Sequence, residues 1–302
     1  MRIVVALGGN ALLHRGEAPD AEPQRRNVDQ AVRALAPLFV DHDLVITHGN
    51  GPQIGVLAME SAADPLLATP YPLSVLGAQT QGLIGLWLVQ SISNRVPDRQ
   101  VVALVTRCVV DGGDPAFDDP TKFVGPVYGE VEARRLAADG GWTVRPDGAM
   151  WRRVVASPVP RRIAEADVIR LLVDSGVLVV CAGGGGVPVV EVADGTLACV
   201  EGVIDKDLSS ALLAEELGAD MLALLTDVPF VETAFGTPGS RPLRDVTVDE
   251  LRRHSFPAGS MGPKVEAVCR FVERTHGVAV IGALDEAADV IAGAAGTRVR
   301  LS

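Results

Sequence analysis

One pattern recurs along this chain and limits what it can become. Short runs of branched apolar residues stop abruptly at glycine or a small polar residue. "IVVALGGN" spans 3–10, "LVITHGNG" spans 44–51, "VLVVCAGGGG" spans 177–186 and "MLALLTDV" spans 221–228. "VALVT" (102–106) and "VAVIGAL" (278–284) are of the same kind. Between them, apolar residues recur at helical spacing. Over 27–40, Val28, Ala31, Val32, Leu35 and Leu38 share one face. Similar spacing marks 161–175, 207–217 and 263–275. Strands alternating with helices predict βαβ units and a mostly parallel α/β sheet. The apolar mass is Val, Leu and Ala, with only 4% aromatics, which suits strands buried by helices on both faces.

In such sheets ligands gather at the carboxyl ends of the strands. Here those ends read "GGN", "HGNG", "GGGG" and "TDV". Glycine there lets backbone N–H groups approach an anion with no side chain between. Three such loops on separate strands point to a phosphate site built from several loops. The net charge of −11, with no basic block, argues against nucleic acid and acidic membranes as partners. An anionic substrate therefore needs a local cationic pocket. No run is long enough for a membrane span, and no signal peptide is expected, so a cytoplasmic location is the expectation. Cys108, Cys181, Cys199 and Cys269 match no zinc or redox spacing and read as buried thiols.

The length allows one large α/β domain or two smaller ones, and a single domain over 1–302 is expected. Residues 111–160 break the alternation. They are rich in Gly and Pro and hold Trp142 and Trp151, and they read as an excursion forming a small lid. "GTPGSRP" (236–242) reads as a surface hairpin or loop. There is no P-loop motif, no G-x-G-x-x-G after the first strand, no G-x-S-x-G and no H-E-x-x-H. His48, beside Gly49, reads as structural rather than catalytic.

The basic residues are the sharpest signal. Only three of 27 are lysine: Lys122, Lys206 and Lys264. A GC-rich genome replaces solvated lysine by arginine, so surviving lysines mark places where a compact ammonium works and a planar fork does not. A transferring phosphoryl group is such a place. Lys264 follows "GSMGP", with Pro263 suited to a helix's first turn, near its positive end. Lys206 lies between Asp205 and Asp207 at another helix start. Asp207 is a reasonable N-cap there, and could also hold Lys206 and Lys264 apart or orient a metal. Lys122 lies in the excursion, and a cation on a lid reaches phosphates only when the lid closes.

These residues resemble a known family. "VVALGGNALL", "THGNGPQIG", "GAQTQGLIG", "DPAFDDPTKFVGP", "AGGGGVPVV", "VIDKDLSSALLA", "LLTDVPFV" and "GSMGPKVEA" together resemble the carbamate kinases of the amino acid kinase superfamily, over nearly the whole chain. The resemblance implies a three-layer αβα sandwich on an open, mainly parallel sheet, a small protruding lid subdomain and a homodimer. It implies phosphoryl transfer between ATP and carbamate, giving ADP and carbamoyl phosphate. Mg²⁺ would be held mainly by the nucleotide phosphates rather than by the protein. ATP formation in arginine breakdown is the family's usual role.

Residue by residue, Gly8, Gly9 and Asn10, with Gly49, Asn50 and Gly51, resemble the loops that hold the carbamoyl end and the moving phosphoryl. Gly183–Gly186, including Gly184 and Gly185, would add backbone to that pocket. Lys122 resembles the lid's lysine, and Lys206 and Lys264 the pair on the phosphates. Asp207 resembles the aspartate that organises them. Thr226, Asp227, Met261 and Gly262 fall where the family binds nucleotide. Phe123, Val127, Val56 and Ser74 depart from the family's usual residues, all near the lid, the substrate loop or the subunit contact. Two other readings compete. One is a kinase of the same fold acting on another small carboxylate or a phosphonate, yet sister families carry K-x-G-G where this chain has Ala6. The other is a non-catalytic nucleotide-binding regulator, which would be expected to lose the lysines first.

Overall fold

Residues on alternate sides of each central strand enter two separate cores. In the strand Arg2–Leu7, Ile3, Val5 and Leu7 pack on one side, while Val4 and Ala6 pack on the other. In Asp43–His48, Leu44 and Ile46 join the first core and Val45 the second. A strand whose side chains alternate with period two, and which is apolar throughout, needs a cover on both faces. Helices Ala21–Leu35, Leu73–Arg95 and Ala287–Ala292 cover one face, and Ala166–Asp174, Lys206–Glu216 and Met261–Thr275 cover the other. The computed structural model describes residues 1–9, 12–14, 17–257 and 259–302.

Eight strands form the central sheet. Their order across it is Asp245–Thr247, Thr297–Arg300, Val278–Ala283, Met221–Thr226, Arg2–Leu7, Asp43–His48, Leu178–Val180 and Val101–Ala103. Every neighbouring pair is parallel except Val278–Ala283 with Thr297–Arg300. The three-layer αβα sandwich on a mainly parallel sheet is thus the observed fold. The expected strands all form, within a few residues of the runs read from the sequence. Two helical expectations need correction. Residues 161–163 belong to a strand, Pro160–Ile163, and the helix begins only at Ala166. The first helix runs over Ala21–Leu35, with a separate turn at Leu38–Asp41.

A second sheet of four strands flanks the first: Leu197–Cys199, Val187–Glu191, Arg107–Val110 and Pro160–Ile163. The chain leaves through Arg107–Val110 and returns through Pro160–Ile163, and these two pair antiparallel. Between them lies a three-stranded antiparallel sheet, Lys122–Tyr128, Met150–Val155 and Thr143–Asp147, with the helix Glu130–Gly140. Its two tryptophans carry guanidinium groups on their faces, Arg153 over Trp142 at 4.6 Å and Arg134 over Trp151 at 4.8 Å. Residues 236–240 lie in the loop of a hairpin and 241–242 in its second strand, since Val231–Thr233 pairs antiparallel with Arg241–Leu243.

The excursion sits on the body through a small apolar cluster. Val124 and Val155 pack there with Ile54, Leu73, Leu76 and Val203. Contact is closest where the helix Gly51–Ala63 meets the strand Lys122–Tyr128. A Cβ on Gly55 would lie 2.3 Å from the Gly125 Cα, so backbone meets backbone with no room for a methyl group. Gly55→Ala is therefore expected to lose about 1–3 kcal/mol of stability. Chemical denaturation checks this, and wild-type stability would show that the two elements are free to part.

Candidate active site

Two helix starts face each other at the carboxyl end of the sheet. Asp205 caps the helix Lys206–Glu216, its Oδ1 accepting from the backbone N–H of Asp207 at 2.9 Å and Leu208 at 3.3 Å. This corrects the expectation that Asp207 is the cap. Asp207 lies two residues further on, and its side chain is only 5% exposed. It turns inward, where its carboxylate accepts from Lys206 Nζ through one oxygen and from Lys264 Nζ through the other, the latter at 3.1 Å. Lys264 is the fourth residue of the helix Met261–Thr275. One carboxylate thus holds two ammonium groups from two helices. Asp205 uses its second oxygen as well, accepting from Lys122 Nζ at 2.6 Å. All three lysines of the chain therefore meet at the first turn of one helix.

Electrostatics follow from this packing. Burial alone would raise the Asp207 carboxyl, but the Lys206 and Lys264 ammoniums overcome it and hold it well below the usual carboxylate range. Burial pushes the Lys206 ammonium down, and the like charge of Lys264 adds to that, against the opposing pull of Asp207. The result is a carboxylate that stays ionised at any physiological pH, between two cations with donors to spare.

Glycine loops surround this group. Gly8, next to the end of Arg2–Leu7, donates to the Leu225 carbonyl at 2.9 Å, and a Cβ on it would touch Thr226. Gly9 lies against Gly49, where an added Cβ would reach the Gly9 backbone at 3.0 Å and the Lys206 side chain at 3.4 Å. Gly51 opens the helix Gly51–Ala63, and Asn50 precedes it, its amide donating to Thr80 Oγ1 at 2.8 Å. Gly184 and Gly185 adopt positive φ, and a Cβ on Gly184 would strike the Asn50 amide at 2.3 Å. The Gly185 carbonyl accepts from Ser209 Oγ at 2.9 Å, which ties this loop to the lysine-bearing helix. Asn10 lies outside the described residues.

The predicted nucleotide positions are adjacent. Thr226 ends the strand beside Arg2–Leu7, and its hydroxyl donates to Asp227 at 3.0 Å. Met261 and Gly262 begin the helix that carries Lys264, and Gly262 packs against the Pro257 carbonyl. His48 is fully enclosed. Burial pushes its imidazole down to about 4, so it is neutral, and it packs where a Cβ on Gly183 would come within 2.5 Å of the ring. Its place is structural.

The sequence reading passed over several members. Asp205 stood in "VIDKD" as a neighbour of Lys206 with no role of its own, and its partner Lys122 is 83 residues away. Thr47 and Ser210 bond at 2.6 Å, and Ser210 Oγ also donates to the Lys206 carbonyl, pinning a strand end to the helix start. Cys199 is exposed, unlike the other three thiols, because it ends an edge strand. A cleft of about 640 Å³ opens at the opposite end of the sheet, between His42, Arg95 and Arg99. None of the three lysines or the glycine loops lines it.

The amino acid kinase family pattern matches residues 1–282. A carbamate kinase of Rhizobium meliloti (strain 1021) is 50% identical, covering 100% of this chain and 94% of its own length. This chain belongs to the amino acid kinase family, among the carbamate kinases. A carbamate kinase of Escherichia coli (strain K12) is 49% identical, with 99% of each chain covered. The solved structure of carbamate kinase from Giardia lamblia bound to AMP-PNP superposes with a TM-score of 0.91 at 38% identity, covering 100% of this chain and 98% of that one. As a member of this kinase family the chain is an ATP-dependent phosphotransferase. Among the described residues no helix is long and apolar enough to cross a membrane.

Removing the Asp207 charge leaves two ammoniums enclosed without their counter-ion. Asp207→Asn is expected to lose about 3–5 kcal/mol of folding stability at neutral pH. A carboxyl whose folded pKa is depressed contributes stability above its unfolded value and loses it as pH falls through the folded one. The gap between wild type and Asp207→Asn should accordingly narrow as pH drops below about 4. Urea unfolding of both proteins across pH checks this, and a gap that does not change with pH would contradict it.

Proposed function

We propose that this enzyme catalyses reversible, in-line phosphoryl transfer between ATP and carbamate, with carbamoyl phosphate and ADP as the other pair. The observation that carries this reading is the single carboxylate, Asp207, shared by Lys206 and Lys264, with Lys122 on the adjoining Asp205. Carbamate oxygen is already anionic, so no general base is required. Among the described residues His48 is the histidine near enough to feel the Lys206 charge, and it is neutral and enclosed. What remains for the protein is placement and charge neutralisation.

In this reading the nucleotide lies over Thr226, Asp227, Met261 and Gly262, and its phosphates run toward Lys264 and Lys206. The carbamoyl end sits among Gly8, Gly9, Gly49, Asn50, Gly51, Gly184 and Gly185, where glycine leaves room for an anion beside the backbone. Asn10 belongs to the same proposal. Lys122 approaches from residues 111–160, which act as a lid. That lid role is supported by the entry and exit strands lying side by side and by the small apolar cluster on which the excursion rests.

Mg²⁺ is part of the proposal. Among the described residues no group of three or more His, Cys, Asp or Glu is arranged to hold a metal, and Asp205 and Asp207 are occupied by lysines and helix N–H groups. The donor set thus suits an ion carried by the nucleotide phosphates, where it neutralises charge. Homodimer formation has support in the apolar side chains left open on the helix Leu73–Arg95, Leu83 and Leu86 among them. ATP formation during arginine breakdown in the cytoplasm completes the reading.

The test is a coupled assay that supplies ADP and carbamoyl phosphate and follows ATP. Wild type should form ATP, and silence on carbamoyl phosphate with turnover on another acyl phosphate or a phosphonate would move the acceptor elsewhere. Lys206→Ala and Lys264→Ala should each lose on the order of 10²–10³ in turnover with folding intact. Arginine at either position should rescue poorly, because its planar fork would take both oxygens of a carboxylate that two lysines share. Lys122→Ala should slow transfer with nucleotide affinity nearly unchanged, and a large loss of ADP binding would place Lys122 away from the moving group.

A further inference from the structure

We infer that Asp205 is the positioning residue that docks the lid's lysine onto the catalytic helix. This rests on the reading of Lys122 as a phosphoryl-contacting group. Asp205 is 14% exposed, and its two oxygens serve two different parts of the molecule. Oδ1 caps the helix Lys206–Glu216, and Oδ2 accepts from Lys122 Nζ at 2.6 Å. The same helix turn carries Lys206 and Asp207. One carboxylate therefore sets the distance between the lid's cation and the two cations of the body.

The residues just before Asp205 form the seam with the excursion. Val203 donates its backbone N–H to the Ala156 carbonyl at 2.9 Å and packs with Val124 and Val155. Gly202 faces the same carbonyl, where a Cβ would come to 3.1 Å. These contacts, one hydrogen bond and apolar packing, hold the excursion near the body and do not touch the Lys122 ammonium. The strand Lys122–Tyr128 begins at Lys122, paired with Val155, so its ammonium projects from the edge of the seam. The bond to Asp205 fixes where that ammonium stands.

The geometry also accounts for lysine at this position. An ammonium has three donors, so one can stay on Asp205 while two face a phosphoryl group. A guanidinium bound to the same carboxylate would commit its parallel donors to one plane. Lys122, at 33%, is the most exposed of the three lysine side chains, which leaves its remaining donors accessible.

Asp205→Asn separates the two roles. Asparagine is as good an N-cap as aspartate, so the helix start is kept, but an amide N–H can take the place of the oxygen facing Lys122 and the charge is lost. We expect unfolding free energy and the KM for ADP to stay near wild type, while turnover falls roughly 10- to 100-fold. Amide hydrogen exchange across 122–128 and 150–155 should quicken, measured with no acyl phosphate present. In a Lys122→Met background, Asp205→Asn should cost nothing further. Wild-type turnover in Asp205→Asn would overturn the inference. So would an equal loss in the Lys122→Met background, or a loss of stability with unchanged lid exchange, either of which would leave Asp205 as a cap alone. If wild type forms no ATP from carbamoyl phosphate yet the exchange quickens in Asp205→Asn, the reaction reading fails and the docking role stands.

Discussion

The arrangement at the end of the sheet depends on one buried carboxylate. Two ammonium groups cannot be brought together in a partly desolvated place without a counter-charge, and Asp207 supplies it from between them. That demand sets much else. The two helices must start near each other, so Lys206–Glu216 and Met261–Thr275 pack on the same face of the sheet. The first of them must begin with a cap other than Asp207, and Asp205 takes that place. The hydroxyls of Thr47, Ser209 and Ser210 then tie the helix start to a strand end and to a glycine loop. On the proposed reading, a cluster of cations held this way is pre-organised for polyphosphate, since the donors stand in position before any anion arrives.

The glycine loops do their part through lack of volume. Gly183 makes room for the His48 ring, Gly184 for the Asn50 amide, and Gly49 for the Gly9 backbone and the Lys206 stem. Each is a place where a side chain would push a functional loop outward. The positive φ at Gly184 and Gly185 adds a second reason for glycine there. The same economy recurs at Gly55 and Gly125, where the excursion rests on the body backbone to backbone. On the proposed reading, that contact and the Lys122–Asp205 pair together decide how closely the lid stands over the phosphates.

Much of this was legible in the sequence, for identifiable reasons. Parallel strands buried on both faces must be apolar throughout and must end in tight turns, so Ile3–Leu7 or Met221–Thr226 stand out by composition. Lysine scarcity located all three members of the cation cluster, because arginine had taken the solvated positions. The helices Gly51–Ala63 and Leu73–Arg95 were harder to see. The second carries Leu83 and Leu86 outward as well as Ile84 and Leu88 inward, so it lacks one clear apolar stripe. The four-stranded sheet was missed because its strands are short, such as Leu197–Cys199, and two of its members flank a long excursion. That Asp205 rather than Asp207 caps the helix, and takes Lys122 as well, was out of reach. Both are acidic residues at a helix start, and only side-chain direction, set by Lys122 and Lys264 from distant segments, tells them apart.

The most direct test is a structure of the protein with a non-hydrolysable ATP analogue and Mg²⁺. The account predicts the terminal phosphoryl oxygens within about 3 Å of the Lys206 and Lys264 ammoniums, with Lys122 reaching the same group while still near Asp205. A polyphosphate bound at the other end of the sheet, beside Arg95 and Arg99, or one that leaves Asp207 and its lysines untouched, would contradict it.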